Sequence, residues 1–416
     1  MNENNVTLGF ADLGLSVGLL EILKRLNFNE PTPIQRQAIP IVLTGKDLVG
    51  IAQTGTGKTL AFGLPMVERL RTSPGMGLIV LPTRELAFQV DEALKQVGGG
   101  LKTALLIGGT GLGSQVRAIE NKPKIIIATP GRLNDFIQQR LVNLSRVSIV
   151  VLDEADRMLD MGFAPQIKKI FDLLPKVRQT LLFSATMPPA IMRMATTYLK
   201  LPIRVEVAPS GTPVEQVTQE IFILPKDLKL RFIEKLLIQY AGPTLVFTRT
   251  KYGAKRLNRA IREMGHKAAE LHSNRTLSQR REALDGFKAG RYRVLIATDI
   301  ASRGIDVTGI ELVLNYDLPT NSEDYVHRIG RTARAGAGGH AISFVMPEQR
   351  QDVRDIERLI KQTLRVSPVP AELPPARRTA PSIAGWPGRK ETPNFGTGRS
   401  NFRPTAGHWR QGGGRR

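Results

Sequence analysis

Short, continuous runs of apolar and β-branched residues recur along the chain and alternate with stretches of helical periodicity. A strand that is apolar at successive positions is covered on both faces, which is typical of parallel sheets built from βαβ units. Such runs predict strands in the first half at Asp47–Ala52, Gly77–Leu81, Lys124–Thr129, Ser148–Asp153 and Thr180–Ser184. A second series predicts strands at Thr244–Thr248, Tyr292–Thr298, Glu311–Tyr316 and His340–Val345. The sequence therefore predicts an α/β fold with two halves of similar rhythm.

Changes in composition divide the chain into domains. Residues 206–217 interrupt the rhythm with Pro, Ser and Gly, which predicts a linker. We expect a first domain over residues 1–205 and a second domain over residues 218–368. Residues 371–416 carry nine Lys or Arg, two acids, eight Gly and six Pro. This composition cannot bury a core, so residues 369–416 are predicted to form a disordered, basic tail.

The charge balance indicates a polyanionic partner. The 416 residues include 59 Lys and Arg against 37 Asp and Glu, a formal net charge of +22. The tail contributes to this charge and holds both tryptophans, Trp386 and Trp409. Aromatic rings stack on bases and arginines meet phosphates, so the tail suits single-stranded nucleic acid. A tail that only aids solubility is the alternative.

Several classes of protein are excluded by what the chain lacks. It has no Cys, which excludes disulfides, cysteine zinc sites, iron–sulfur clusters and thiol catalysis. Its five His have no ligand spacing, so no zinc site is expected. No apolar run approaches the roughly 18 residues of a membrane span, and the first residues do not resemble a signal peptide. We expect a soluble, cytoplasmic protein with no membrane partner.

A glycine-rich segment, Ala52–Thr59, follows a predicted strand and precedes an apolar helical stretch. Glycines allow backbone N–H groups to turn inward around phosphate oxygens, and the helix N-terminus adds partial positive charge. Lys58 is expected to reach the β- and γ-phosphates, and the Thr59 hydroxyl to bind Mg²⁺. The other nucleotide-binding candidates of this loop are Thr54, Gly55, Thr56 and Gly57.

The acidic tetrapeptide Asp153–Asp156 lies at the carboxyl end of a predicted strand, the end that faces the ligand in an open parallel sheet. One carboxylate there can hold the Mg²⁺ hydration shell, and its neighbour can orient and deprotonate the attacking water. Upstream, Thr32 and Gln35 form the pattern of a helix capping box. The Gln35 amide could also bind adenine, with Phe28 over the ring face, and both interpretations can hold together.

Three arginines occur within residues 327–334. At helical spacing, Arg331 and Arg334 share one face, and they could meet a γ-phosphate supplied across a cleft. An arginine finger of this kind contributes roughly 10³–10⁵ in rate. A solvated basic surface is the alternative.

These segments resemble the DEAD-box family of ATP-dependent RNA helicases, and most of all its RhlE-like bacterial branch. The resemblance covers about residues 10–345. Segments similar to the family motifs follow in family order: Phe10, Phe28 and Pro31–Gln35 (aromatic and Q motif), Ala52–Thr59 (I), Pro82–Ala87 (Ia), Gly108–Gly109 (GG), Thr129–Arg132 (Ib), Asp153–Asp156 (II), Ser184–Thr186 (III), Leu245–Thr250 (IV), Ala297–Gly304 (V) and His327–Arg334 (VI).

The resemblance implies two tandem RecA-like domains, a superfamily 2 helicase core, that close on ATP, Mg²⁺ and one RNA strand. It implies that Glu154 is the base for water and Asp153 the Mg²⁺ anchor. Gly304 and Asp306 would lie near the ribose. The resemblance also implies that Lys58 binds phosphate and that Arg331 and Arg334 are arginine fingers. Asp156, Ser184 and Thr186 would couple hydrolysis to RNA. The residues expected to bind RNA are Pro82, Thr83, Arg84, Gly109, Thr129, Gly131, Arg132, Thr248, Arg249, Arg280 and Thr298.

Four positions depart from the family pattern. Ser273 and Leu277 stand where Gly and Gln are usual, and Ser302 and Ala333 stand where Ala and Gly are common. Leu277 removes one polar RNA contact. Ala333 adds a methyl group between the two finger arginines, which a helical backbone would tolerate.

The leading hypothesis is an ATP-dependent RNA helicase. RNA-stimulated ATP hydrolysis would drive closure and opening of the domains, and so local, sequence-independent separation of short duplexes or remodelling of ribonucleoproteins. An ATP-gated RNA clamp or annealing chaperone is the alternative, and a DNA-translocating helicase is disfavoured by the Q-like element and the DEAD tetrapeptide. The expected partner is RNA, in ribosome assembly, mRNA decay or cold adaptation. We expect a monomeric core, with higher oligomers left open.

Overall fold

The computed structural model describes residues 9–53, 55–207, 217–299, 307, 309–333 and 338–374. Four predicted site residues, Thr54, Gly304, Asp306 and Arg334, lie outside this range, as do most of the predicted linker and the predicted tail from residue 375 onward. Among the described residues, no helix has the length and hydropathy needed to cross a membrane.

A parallel sheet forms the centre of the first half. Its strands are β1 Leu48–Ile51, β2 Met76–Val80, β3 Thr103–Leu106, β4 Ile125–Ala128, β5 Val147–Leu152, β6 Gln179–Ser184 and β7 Ile203–Glu206. Their spatial order is β3-β4-β2-β5-β6-β1-β7, and the neighbouring strands pair in parallel.

Helices cover both faces of this sheet. Following a 3₁₀ turn at Phe10–Leu13, they are α1 Val17–Arg25, α2 Pro33–Leu43, α3 Lys58–Thr72, α4 Arg84–Val97, α5 Leu112–Glu120, α6 Pro130–Gln138, α7 Ala155–Asp160, α8 Ala164–Asp172 and α9 Pro189–Tyr198. Neighbouring residues of β2 show the two layers: Ile79 packs into the core with α1–α4, and Leu78 packs into the opposite core with α6–α9. Both side chains are fully buried, which explains why this strand is apolar at successive positions.

The second half repeats this architecture. Its strands are β8 Val217–Ile223, β9 Thr244–Phe247, β10 Ala268–Leu271, β11 Val294–Ala297, β12 Leu312–Asn315, β13 Gly339–Val345 and β14 Arg365–Val366. Their order is β10-β11-β9-β12-β13-β8-β14, again with parallel neighbours. Its described α-helices are α10 Lys229–Gln239, α11 Lys251–Glu263, α12 Leu277–Lys288, α13 Ser322–Ile329 and α14 Arg350–Ile360, with a 3₁₀ turn at Pro347–Gln349.

The second sheet is also buried on both faces. Val246 of β9 packs with α10 and α11 on one face, whereas its neighbour Leu245 packs with α12 on the other. Helices α13 and α14 complete the second layer over β8 and β13. The two tandem parallel sheets confirm the predicted α/β fold of RecA-like type.

The predicted strands coincide with observed ones to within one or two residues at most ends. No strand was predicted at the positions of β3, β7, β8, β10 and β14. Four of these five strands are the outer strands of the two sheets. An outer strand is covered less completely than a central one, so it needs no continuous apolar run and gives a weaker signal.

Candidate nucleotide and nucleic-acid site

The glycine-rich loop joins the carboxyl end of β1 to the start of α3. Gly55 and Gly57 have φ values of 88° and 92°, a left-handed conformation that glycine adopts without steric cost. A Cβ on Gly57 would lie 2.4 Å from Nε2 of Gln35, so a side chain at this position would displace the Gln35 amide. The loop and the first turn of α3 therefore form a cradle lined by backbone N–H groups.

Lys58 and Gln35 are both tied to this loop. The Lys58 ammonium donates to the carbonyl of Ala52 at 2.8 Å, and the side chain is buried. The Gln35 amide donates to the carbonyl of Gly57 at 3.0 Å, while its oxygen accepts from the N–H of Thr32 at 2.9 Å. The second contact is the helix-capping interaction that the sequence predicts. Gln35 thus fixes the loop, and Phe28 remains 40% exposed.

Two carboxylates follow β5 and are almost fully buried. Asp153 and Glu154 are each 2% exposed, and the N–H of Glu154 donates to Oδ1 of Asp153 at 2.9 Å. Burial raises the pKa of Asp153 to about 6, although the nearby Lys58 ammonium opposes this shift. Glu154 has a φ of 54°. A left-handed backbone at a buried, non-glycine residue is strained, and such strain is typical of functional sites.

Arg157 is a site residue that the sequence analysis missed. It is 1% exposed, and its Nε lies 3.5 Å from Oε2 of Glu154, one turn earlier on α7. A fully buried guanidinium requires anionic partners, and this one takes its partner from the acidic motif itself. The available signal was its position directly after the tetrapeptide, where a basic residue can reach back to the carboxylates.

Asp156 joins the acidic motif to the end of β6. Its Oδ2 accepts from the N–H of Ala185 and the N–H and Oγ1 of Thr186 at 3.0–3.1 Å. The N–H of Asp156 donates to Oγ of Ser184 at 3.3 Å. The structure therefore brings together the three residues to which the resemblance assigns coupling. Thr186 also contacts Glu323 of the second half, so this cluster borders the cleft between the halves.

The second half presents His327 and Arg331 to this cleft. One cavity is lined by Gln53, Ala185 and Thr186 from the first half and by Glu323 and His327, among others, from the second. Desolvation lowers the pKa of His327 well below its ordinary value of 6.5, so the imidazole is neutral beside Asp156. An adjoining cavity is lined by Arg157, His327 and Arg331 among others, so Arg331, which is 2% exposed, lies across the cleft near Arg157, the residue that follows the acidic motif.

Arg328 has a structural task behind the cleft. Its Nε and Nη2 bind both oxygens of Asp299 at 2.6 and 2.8 Å, and Nη1 donates to Oδ1 of Asn315 at 2.9 Å. The guanidinium also lies 4.9 Å from the ring centre of Phe247. Since these partners follow or lie on β11, β12 and β9, Arg328 fixes the end of α13 to three strand ends.

The expectation that Arg331 lies on a helix was wrong. Helix α13 ends at Ile329, Gly330 caps it, and Arg331 lies in the turn that follows. Ala333 has a φ of 52°, so it holds a left-handed conformation at a position where the family commonly has Gly. The turn then aims Arg331 back towards the cleft.

The predicted RNA-binding residues gather at the carboxyl edges of the two sheets. In the first half, Pro82, Thr83, Arg84, Gly109, Thr129, Gly131 and Arg132 follow β2, β3 and β4. In the second half, Thr248, Arg249 and Thr298 follow β9 and β11, and Arg280 lies in the first turn of α12, after β10. Parallel strands end at one edge of a sheet, so each half brings its set together. Thr83, Thr129 and Thr248 are nevertheless buried, and Arg249 and Gly109 are exposed.

One ion pair joins these two surfaces. Nη2 of Arg280 lies 2.9 Å from Oε2 of Glu85, and the two side chains are 12% and 6% exposed. Arg280 therefore forms an ion pair with the other half of the molecule, in addition to its position at the predicted RNA surface.

Comparison with known protein families decides the classification. Residues 32–194 match the DEAD/DEAH box helicase family, and residues 228–336 match the helicase conserved C-terminal domain. The chain belongs to the DEAD-box helicase family. The DEAD-box ATP-dependent RNA helicase CshA of Bacillus subtilis is 43% identical over 364 residues, which cover 86% of this chain and 74% of CshA. The RhlE-like branch within the family stays a prediction.

Two solved structures match most of this chain. Saccharomyces cerevisiae Dbp5 bound to RNA and ADP BeF3 matches with a TM-score of 0.79 at 30% identity, over 86% of this chain and 95% of Dbp5. A DEAD box protein from Methanococcus jannaschii is 37% identical over 86% of this chain and 99% of that chain, but its TM-score is 0.52. The geometry of this DEAD-box chain is therefore closer to that of RNA-bound Dbp5 than to that of the more similar sequence.

Proposed function

We propose that this protein is an ATP-dependent RNA helicase whose hydrolytic site is completed only when its two halves meet. The observation that carries the proposal is the cleft itself. Lys58, Asp153 and Glu154 come from the first half, and Arg331 comes from the second half, where it shares a cavity with Arg157, the residue directly after the acidic motif.

The residues of the first half fit a nucleoside triphosphate and Mg²⁺. The left-handed glycines Gly55 and Gly57 shape the loop whose backbone N–H groups can bind phosphate, and the buried Lys58 adds a cation beside it. Thr59 in the first turn of α3 and the carboxylate of Asp153 are oxygen ligands of the kind that Mg²⁺ prefers. We assign phosphate binding to Gly55, Gly57 and Lys58, and metal binding to Thr59 and Asp153. When bound, ATP supplies the free energy of hydrolysis, and Mg²⁺ polarises the phosphate that is cleaved.

The chain's own groups then have separate tasks. Glu154 accepts a proton from the attacking water, and Arg157, 3.5 Å away, holds its carboxylate in place. Arg331 contributes a positive charge from the opposite half, as an arginine finger does. Asp156, bound to Ser184 and Thr186, links the hydrolytic motif to the cleft wall that the second half touches.

RNA binding is assigned to the carboxyl edges of both sheets. The residues there are hydroxyls, glycine amides and arginines, groups that bind phosphates and position a strand without reading its bases. We therefore infer sequence-independent binding with a steep salt dependence. Closure of the two halves would grip one strand across both surfaces, and local separation of a short duplex would follow.

A strand-displacement assay tests this function. Purified protein is mixed with ATP, Mg²⁺ and a short RNA duplex, and both phosphate release and free single strand are measured. We expect hydrolysis to depend on RNA and displacement to depend on ATP. No hydrolysis in the presence of RNA would contradict the proposal. RNA-stimulated hydrolysis with faster annealing and no displacement would favour the clamp or annealing chaperone.

A further inference from the structure

The two halves touch along a second surface that contains neither the carboxylates nor the phosphate loop. It is formed by α4 of the first half and α12 of the second, and we call it the α4–α12 seam. On α4 its members are Glu85, Phe88 and Glu92, spaced i, i+3 and i+7; on α12 they are Leu277, Arg280 and Arg281, spaced i, i+3 and i+4. Both spacings place the side chains on one face of a helix.

The outer part of the seam is built around Arg281. Its Nη2 lies 3.3 Å from Oε1 of Glu92, and its guanidinium carbon lies 5.3 Å from the centre of the Phe88 ring. The ion pair crosses between the halves, and the arginine also stacks on an aromatic face, a favourable cation–π arrangement. Arg281 and Glu92 are 55% and 58% exposed, so either can be changed without opening a core.

Leu277 adds an apolar contact to the same seam. It belongs to the second half by sequence, yet it packs against the core cluster of the first half, beside which Phe88 also packs. A glutamine, which the family usually has here, would bring a polar amide to this apolar contact. Leu277 lacks the polar RNA contact expected of the usual glutamine, but it supplies an apolar contact between the halves.

Position along α4 separates the outer seam from the predicted RNA surface. Arg84, a predicted RNA ligand, is the first residue of α4, and Glu92 follows eight residues later. At 1.5 Å per residue, Glu92 is about 12 Å further along the helix. A strand lying across the carboxyl edge of the sheet would meet Arg84 first.

We propose that Leu277 and Arg281 are positioning residues that favour domain closure through contacts supplied by neither ATP nor RNA. This proposal rests on the proposed function, because closure assembles the hydrolytic site. A contact made only in the closed form raises the population of that form and lowers the RNA concentration needed to reach it. Turnover at saturating RNA is not affected, since the closed form is then fully populated and its catalytic groups are unchanged.

A charge swap across the seam tests the proposal in the full-length protein. RNA-stimulated ATPase is measured against RNA concentration for Arg281→Glu, Glu92→Arg and the double variant. We expect each single variant to raise the half-saturating RNA concentration by about 3- to 10-fold with kcat within about twofold. The double variant should recover to within about twofold of wild type. Arg259→Glu, which breaks an exposed pair with Glu263 inside α11, is the matched control.

Leu277 provides a second, independent variant pair. Leu277→Gln should raise the half-saturating RNA concentration by about 3- to 5-fold, whereas the volume-conserving Leu277→Met should stay close to wild type. Thermal unfolding of every variant checks that the fold is retained. A gain in RNA affinity for Leu277→Gln would show that the amide contacts RNA, and would overturn the assignment of Leu277.

Closure itself can be measured because the chain has no Cys. Lys122→Cys in the first half and Lys255→Cys in the second, both at exposed positions, accept a donor and an acceptor dye. Energy transfer during an RNA titration with a non-hydrolysable ATP analogue should show closure at higher RNA concentration in Arg281→Glu and recovery in the charge swap. A double variant as impaired as the single ones, or unchanged single variants, would overturn the proposal. A wild-type protein that closes in this assay yet hydrolyses no ATP would refute the proposed function and leave the seam intact.

Discussion

The two halves of the molecule share one frame and differ in what they place on it. Numbered within each half, the strands of both sheets follow the same spatial order, 3-4-2-5-6-1-7, with parallel neighbours. The first half uses its carboxyl edge for a phosphate loop and two buried carboxylates. The second half presents Arg331 and a neutral histidine to the same cleft. One architecture thus carries different charged groups in its two copies, and under the proposed function neither half alone contains a complete hydrolytic site.

The halves also differ in how their buried charges are accommodated. In the second half, Arg328 binds Asp299 through two hydrogen bonds and Asn315 through a third. In the first half, burial raises the pKa of Asp153 to about 6, and Glu154 has a left-handed backbone. The first half therefore holds its functional groups in unfavourable states, as active sites often do, whereas the second half holds its arginine in a satisfied network.

Removing the contribution of the second half should have the largest effect. Arg331→Ala should lower RNA-stimulated kcat by about 10³-fold or more, because the positive charge that the second half supplies to the cleft is lost. ATP binding should change far less, and steady-state phosphate release with a nucleotide-binding titration separates the two. Arg354→Ala, at an exposed position on α14, is the control. A loss of less than tenfold would show that the first half is sufficient.

The second-largest effect on turnover is expected from a change in the acidic motif of the first half. Glu154→Gln should lower kcat by about 10²–10⁴-fold, since the amide cannot take a proton from water. ATP and RNA binding should persist, because Lys58, Asp153 and the loop are unchanged. Single-turnover hydrolysis and RNA binding are measured in parallel, with Asp172→Asn in the exposed Lys168–Asp172 pair as the control. Turnover equal to wild type would remove Glu154 from its assigned role.

The free-energy cost of burying the ionised Asp153 carboxylate can be measured as a change in the stability of the folded protein. A pKa raised from 3.8 to about 6 means that the folded protein loses stability as pH rises through this interval, by roughly 3 kcal/mol above it. In the presence of a chelator at pH 7.5, Asp153→Asn should therefore unfold several degrees higher than wild type, although it should be inactive. The difference should shrink as pH falls towards 4. A lower unfolding temperature for the variant at pH 7.5 would mean that the ionised carboxylate is stabilised where it lies.

The smallest effect is expected from the region outside both halves. Truncation after Pro374 should weaken RNA binding by about 3- to 10-fold and flatten its salt dependence, because nine positive side chains and both Trp are removed. ATPase activity at saturating RNA should remain. RNA affinity measured at several salt concentrations decides the matter, and an unchanged affinity would favour a tail that only aids solubility.

The sequence predicted the central strands well and the outer ones poorly. Runs such as Lys124–Thr129 correspond to strands buried on both faces, and burial selects for apolar residues at every position. The outer strand β14 consists of the exposed Arg365 and Val366, which no pattern of hydrophobicity distinguishes from a loop. The spacing of the arginines in the second half was also an insufficient guide to local structure. It suggested a helix through Arg331, but the helix ends at Ile329.

The sequence by itself determined the parallel-sheet frame, the phosphate loop and the acidic motif, because each depends on a few consecutive residues with local conformational needs. Gly57, for example, has a φ of 92°, a left-handed conformation that glycine adopts without steric cost. Only the tertiary structure decided that Arg331 of the second half lies beside Arg157 of the first and that Leu277 packs on the other half. These contacts join side chains from different helices and halves, and their distances depend on packing that no spacing along the chain encodes.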